Sequence, residues 1–429
     1  AGANGSNMGA FGVGCGSIHI GPLWYVATTG SDATGNGTYT NPFAAIQTAI
    51  DSSSNGDTVL VAAGTYVENI NFNGKNIVVE SVSSSDSTII DGNSTDAVVK
   101  FNNYENSTAV LSGFTITNGN NSGIYVSGES SPSLKNLLIV GNTTSNPNAG
   151  GGGIYCWQAS PAITNVTITN NTDVNNMGTA IWGDGGSYPT LVNCILWNNY
   201  PSQSTSVGFF GNSTISISYS NIQGGWEGEG NIDTNPLFCG PNNGDYTLGE
   251  NSPCVGTGED GANMGAFGVG CGIVNQVLNV PTDYVTIQEA IDASIDGDTV
   301  LIHPGIYEGA YLYNKNINLF SLYSTTGDTG YISNTIIDGD DDGCTLMIYG
   351  NIDESTRISG FTIQNGTGCV YGQGGGLYIE GSPVVDNLVI KDNNALLNGG
   401  GICVNLNSSP TFRDLIVKNN TGELGAGIY

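Results

Sequence analysis

Apolar and polar residues alternate along this chain in short runs, and the runs return at a steady interval. Gly123-Ile124-Tyr125, Gly153-Ile154-Tyr155 and Ala180-Ile181-Trp182 recur roughly 25–30 residues apart, as do Gly376-Leu377-Tyr378, Gly401-Ile402-Cys403 and Gly427-Ile428-Tyr429. A second series keeps step with the first: NLLIVGN from Asn136, NVTITNN from Asn165, NCILWNN from Asn193, NLVIKDN from Asn387 and DLIVKNN from Asp414. Each run predicts a short strand whose alternate apolar positions, such as Val166 and Ile168, point inward while the Thr residues between them face water. Asn or Asp stands at the bends, where the left-handed backbone suits it. Such strands cannot bury an apolar face alone, so successive coils must stack, bringing equivalent residues about 4.8 Å apart. The prediction is an all-β parallel β-helix (β-solenoid). Past residue 70, apart from the opening of the second repeat near Ile287, no stretch holds a helical period.

A longer repeat contains the short one. GANGSNMGAFGVGCG from Gly2 returns as GANMGAFGVGCG from Gly261, and IQTAIDSSSNGDTVLVAAGTY from Ile46 returns as IQEAIDASIDGDTVLIHPGIY from Ile287. The chain therefore reads as part of a tandem array. Residues 1–22 are the tail of one module with a linker, 23–272 a complete module with a C-terminal cap, and 273–429 a second, truncated module. Each module opens on a short amphipathic helix that covers the first coil. In the first, the pattern places Pro42 at the first helical position, followed by Phe43, Ile46 and Ile50; in the second, Thr286 precedes Ile287.

Composition narrows the setting. Eight Lys and Arg against 37 Asp and Glu give a net charge of -29, which repels nucleic acid, anionic lipid and polyuronate chains. No apolar run is long enough to span a bilayer. The chain has 9 Cys. Cys239 and Cys254 bracket CGPNNGDYTLGENSPC, read as a hairpin closed by a disulfide. Cys156 and Cys194 fall at inward positions and read as buried thiols. An oxidising, extracellular or cell-surface location fits this usage.

The opening WYVATTGSDATGNGTYTNPFAAIQTAIDSSSNGDTVLVAAGTY resembles the start of secreted bacterial proteins of the pectin-lyase-like superfamily, which are right-handed parallel β-helices. NIDTNPLFCGPNNGDYTLGENSPC, followed by DGANMGAFG, is similar to the closing segment of large surface proteins built from such modules. The resemblance implies the fold and leaves the chemistry open, since lyases, hydrolases, tailspikes and adhesins share it.

Lyases of this fold use a basic residue, often Arg. The chain has two, Arg357 and Arg413, and neither stands in an Arg-rich pattern. Lys75, Lys100 and Lys135 are alternative bases, but Lys75 and Lys315 occupy matching NGKNI and YNKNI turns, which favours a structural role. His19 and His303 lack a Gly-His-Gly context. Asp91 and Asp338, in paired IIDG motifs, read as turn residues ahead of catalytic ones. Asp338, Asp340 and Asp342 have the D-x-D-x-D-G spacing of a Ca²⁺ loop, though Tyr349 stands where an EF-hand needs Glu; a structural Ca²⁺ site and a solvated acidic turn both remain open. Finally, if Ile124, Ile154 and Ile181 point inward, Tyr125, Tyr155 and Trp182 form an outward ladder that Trp157 extends. That ladder would either stack on sugar rings or a neighbouring chain, or simply lie shielded under loops. The expectation is a structural or adhesive spacer of a large secreted or surface protein, with a glycan or another protein chain (self-assembly included) as partner. The alternative is a polysaccharide-active enzyme.

Overall fold

Strands of two to five residues bury at most three side chains each, so the fold is held by what lies above and below them. In the computed structural model, which describes residues 21–145, 150–175, 177–201, 206–341 and 343–429, the chain divides into two units, Ala1–Val274 and Asn275–Tyr429. Each is a parallel β-helix. One coil of unit 1 contributes successively to three faces. The first holds eight strands from Leu23–Val26 to Ser216–Ser218, the second seven from Gly64–Val67 to Asn221–Ile222, and the third six from Ile70–Asn71 to Val207–Phe209. Unit 2 repeats the plan with six, five and four strands, its third face running from Ala310–Tyr313 to Ile402–Val404.

Coils are piled in register. Ile124 pairs with Ile154, Ile154 with Ile181 and Ile181 with Val207, and the three isoleucines are fully buried in one continuous core. Each such side chain contributes about 1.5–3 kcal/mol by leaving water. The bends follow the Asn pattern. Asn136, Asn165, Asn193, Asn387 and Asp414 all have φ near +50°, a conformation Asn and Asp tolerate better than other side chains. Asn at the strand ends forms buried ladders: Asn142 donates its backbone N–H and its amide to Asn171 Oδ1, and Asn171 does the same to Asn199 Oδ1.

The opening helices differ from expectation in one respect. Helix α1 spans Ile46–Ser52, and its buried side chains are Ile46, Ala49 and Ile50. Pro42 lies outside it, because Phe43 is tied to the first strand instead: Phe43 N–H donates to Tyr25 O, and Ala27 N–H to Phe43 O. With Ala45 at its N-cap, α1 has no local side-chain acceptor. Glu68 supplies one from the next coil, accepting from the N–H groups of Ile46 (2.8 Å) and Gln47 (2.9 Å). Helix α2, Ile287–Ala293, is capped locally by Thr286 and Glu289 in a reciprocal capping box. Lys75 Nζ donates to the carbonyls of Ile50, Asp51 and Ser53 at the C-terminal end of α1, and Lys315 Nζ does likewise to Ile291 and Asp292 at the end of α2. Both lysines are structural.

Two further expectations need correction. Thr167 and Thr169, on the second face, are 1% exposed, because the segment after Asn231 folds back over them. That segment forms a small sheet of Phe238–Gly240, Asp245–Gly249 and Val269–Cys271, and Phe238, Tyr246, Leu248 and Met264 pack on Leu138 and Ile195. Ala266 N–H donates to Thr167 Oγ1. The hairpin between Cys239 and Cys254 exists, but its disulfide does not. Cys239 pairs with Cys271, whose Cα lies 6.0 Å away, tying the hairpin to the third strand. Cys254 is a buried thiol in the satellite core, bonded by Asn221 Nδ2. A second disulfide, Cys344–Cys369, has no signal in the repeat motifs; its separation of 25 residues is one coil, which places both cysteines at the same bend of successive coils. Cys156 and Cys194 are buried thiols, as their inward positions predict.

Candidate functional site

Alternation on the third face of unit 1 sends Ile124, Val126, Ile154 and Cys156 into the core, so Tyr125 and Tyr155 project outward, half-buried. The register carries this row through four coils: Lys100 pairs with Tyr125, Tyr125 with Tyr155 and Tyr155 with Trp182. The Tyr125 and Tyr155 rings stand 5.4 Å apart, tilted by 41°. Trp182 lies against backbone that must be glycine: a Cβ on Gly208 would come within 2.5 Å of its ring, and one on Gly150 within 2.8 Å. A second outward row runs beside the first, with Ser127 paired to Trp157 and Trp157 to Asp184. Trp157 is 43% exposed. The four aromatic residues expected from alternation are therefore brought together on one face. Asp184 joins them without having been singled out by the sequence, although its position in Ile-Trp-Gly-Asp, two residues beyond Trp182, already puts it on the outward side.

The strip is flanked by charge at both ends. Lys100 forms an ion pair with Asp96, which also accepts from Asn121 Nδ2. Burial pushes the Asp96 carboxyl up, but the bonds from Lys100, Asn121 and the Ala97 N–H outweigh it and hold the group below the usual carboxylate range. Burial, with smaller contributions from Asp184 and Tyr125, pushes the Tyr155 hydroxyl up to about 12. Tyr155 thus stays a neutral donor through the physiological range. The surface is a row of aromatic faces with hydroxyl groups at their edges, with the Lys100–Asp96 ion pair at one end and the Asp184 carboxylate at the other.

The other candidates fall elsewhere. Asp338 accepts from Asp340 N–H (3.0 Å), Gln364 Nε2 (2.7 Å) and Asn365 Nδ2 (3.0 Å to each oxygen). Asp91 does the same work in unit 1, accepting from Asn93 N–H and Asn118 Nδ2. Asp340 follows Asp338 in the turn, and Asp342 lies outside the described residues. Among the described residues no three His, Cys, Asp or Glu side chains gather as metal ligands do. Arg357 and Arg413 both lie on the first face of unit 2. Arg357 is committed to Asp386, donating through Nε (2.8 Å) and Nη2 (2.8 Å) to a carboxylate whose side chain is 3% exposed. His303 contacts Asn279 Oδ1, and His19 lies outside the described residues.

Among the described residues no helix is long and apolar enough to cross a membrane. A family model described as "Right handed beta helix region" matches residues 97–228, the span that carries the aromatic strip. No curated protein matches the chain. Among solved structures the chain is similar to an arginine-to-alanine mutant of the PL6 family alginate lyase AlyGC, at 10% identity and a TM-score of 0.23, covering 86% of this chain and 78% of that one. The assignment as a right-handed parallel β-helix rests on the strand ladders and the family match.

Proposed function

We propose that this chain is an extracellular segment of tandem β-helix modules, a structural element of a larger surface or secreted protein that holds a neutral polysaccharide along the third face of unit 1. One observation carries the reading: successive coils set Tyr125, Tyr155 and Trp182 in register, half-exposed, with Trp157 beside them. A pyranose ring is about as long as one coil is high, so an extended glycan lying along the axis meets one ring per coil. The net charge of -29 disfavours polyuronates such as alginate and leaves neutral chains as the better partners. Two disulfides support an oxidising compartment. The candidate base Lys75 and the candidate carboxylates Asp91 and Asp338 are each engaged in scaffold bonds, which supports a spacer and binding role over catalysis.

Affinity electrophoresis through gels containing soluble neutral polysaccharides tests this. The wild-type chain should be retarded by at least one of them, and Tyr155→Ser with Trp157→Ser should be retarded markedly less. Retardation that both substitutions leave undiminished contradicts the proposal. New reducing ends or unsaturated products, removed by a single carboxylate substitution, would move the reading to a polysaccharide-active enzyme. Concentration-dependent association without retardation would make the strip a contact between chains.

A further inference from the structure

The third face of unit 2 carries an aromatic platform of its own, built from residues that have no aromatic counterparts in unit 1. Strand Ala310–Tyr313 is the first of that face, and it alternates strictly: Ala310 and Leu312 are buried, while Tyr311 is 52% and Tyr313 53% exposed. The next coil sets Met347 over Tyr311 and Tyr349 over Tyr313. The Tyr313 and Tyr349 rings stand 4.7 Å apart, tilted by 31°. In unit 1 the place of Tyr311 is taken by Asn71. The match is fixed by an identical clasp: Gln47 exchanges two hydrogen bonds with the backbone of Asn71, and Gln288 the same two with Tyr311.

The platform is held rather than draped. Gln288 anchors the Tyr311 backbone to α2. Gly350, at φ +93°, passes beneath Tyr313 where a Cβ would lie 2.2 Å from Asn314 Oδ1 and 3.0 Å from the Tyr313 ring, so only glycine leaves both in place. Asn314 Oδ1 in turn accepts from Asn351 N–H. Two coils up, the exposed part of the face ends. Tyr378 stacks next in the Tyr311–Met347 row but is 4% exposed, covered with Cys403 by the loop that the Cys344–Cys369 disulfide clips down.

We propose that Tyr311, Tyr313, Met347 and Tyr349 form a second saccharide-binding site, one that takes a short neutral oligosaccharide. The inference rests on the reading of unit 1 as glycan-binding. Rings that bear hydroxyl groups, spaced one per coil, suit the apolar face and hydroxyl edge of a pyranose better than a hydrocarbon surface does. The platform's own residues carry no cation to recruit a polyanion. Because Tyr378 is covered, the platform is two coils high, so affinity should stop rising with ligand length sooner than on the longer strip of unit 1.

Isothermal titration of the full chain with cello-, xylo- and manno-oligosaccharides, from di- to hexasaccharides, tests it against the background Tyr155→Ser/Trp157→Ser/Trp182→Ser, which removes the unit 1 strip. In that background one series should still bind, with affinity level beyond the trisaccharide, and adding Tyr313→Ser/Tyr349→Ser should weaken it at least about tenfold. Residual binding unchanged by the unit 2 substitutions overturns the second site. Loss of all binding in the unit 1 background alone also overturns it while leaving the unit 1 reading intact, provided that background melts as the wild type does. A wild-type chain that binds none of the series removes both.

Discussion

Asn142 and Asn171 are joined twice across one coil step: Asn171 Oδ1 accepts the Asn142 backbone N–H at 3.0 Å and its side-chain amide at 2.9 Å. Asn199 receives Asn171 in the same way. All three are at most 3% exposed, so breaking the ladder leaves the buried Asn142 N–H without its acceptor and removes the Asn171 amide's own bond to Ile139 O. Asn171→Ala should cost about 2–4 kcal/mol, two buried bonds' worth of desolvation, read as a fall in the urea midpoint with the slope unchanged. A cost under about half a kcal/mol would show that the ladder decorates the bends without holding them.

This ladder is legible in the amino-acid sequence alone, because both the spacing and the choice of Asn have a local physical cause. The same holds for the Ile124–Ile154–Ile181 stack and for Tyr125, Tyr155, Trp157 and Trp182, whose direction follows from alternation. What local pattern cannot reach is anything set by a fold-back. Thr167 and Thr169 look like outward polar residues until the Phe238–Cys271 segment lands on them, and Cys254 looks like the partner of Cys239 until that same segment brings Cys271 nearer. Pro42 signals a helix start, but Phe43 is taken by pairing with the first strand. Tyr311, Tyr313 and Tyr349 are hidden for a different reason: their alternation is as clear as that of Tyr155, but they lie outside the Gly-Ile-Tyr repeat.

The disulfide assignment gives a second prediction. Peptide mapping under non-reducing, acidic conditions should recover Cys239 linked to Cys271 and Cys254 as a free thiol. Cys271→Ser should destabilise unit 1 by about 2–4 kcal/mol, whereas Cys254→Ala should cost less, as a small cavity does. A linked Cys239–Cys254 peptide would refute the packing described for the closing segment.

Asp386 predicts a pH dependence. Burial pushes its carboxyl up, yet bonds from Ser359, Arg357 and Asn387 win and hold it below the usual carboxylate range. A carboxylate lowered in the folded state stabilises at pH values above its unfolded pKa and loses that contribution as pH falls through the folded one. Arg357→Ala should therefore cost about 1–2 kcal/mol at neutral pH, the low end because the Arg357 side chain is 48% exposed. The difference from wild type should shrink in acid. A difference that is constant from neutral pH to below the carboxylate range would contradict the assignment.

Both oxygens of Asp338 already accept amide donors from the next coil. Calcium would have to displace Asn365 and Gln364 to bind there, so millimolar Ca²⁺ and EDTA should leave the melting midpoint of the chain unchanged. A rise with Ca²⁺ that Asp338→Asn abolishes would restore the acidic turn as a metal site.

The central claim is that rings queued one per coil on the third face read an extended neutral glycan. Its most direct measurement is affinity against ligand length for the full chain: titration with a neutral oligosaccharide series whose polymer retards the protein. Affinity should climb with each added unit up to about the length of the Tyr125–Tyr155–Trp182 row, and Tyr155→Ser, which interrupts the row at its centre, should flatten the climb. Affinity that is independent of length, or a climb that Tyr155→Ser leaves intact, would contradict it.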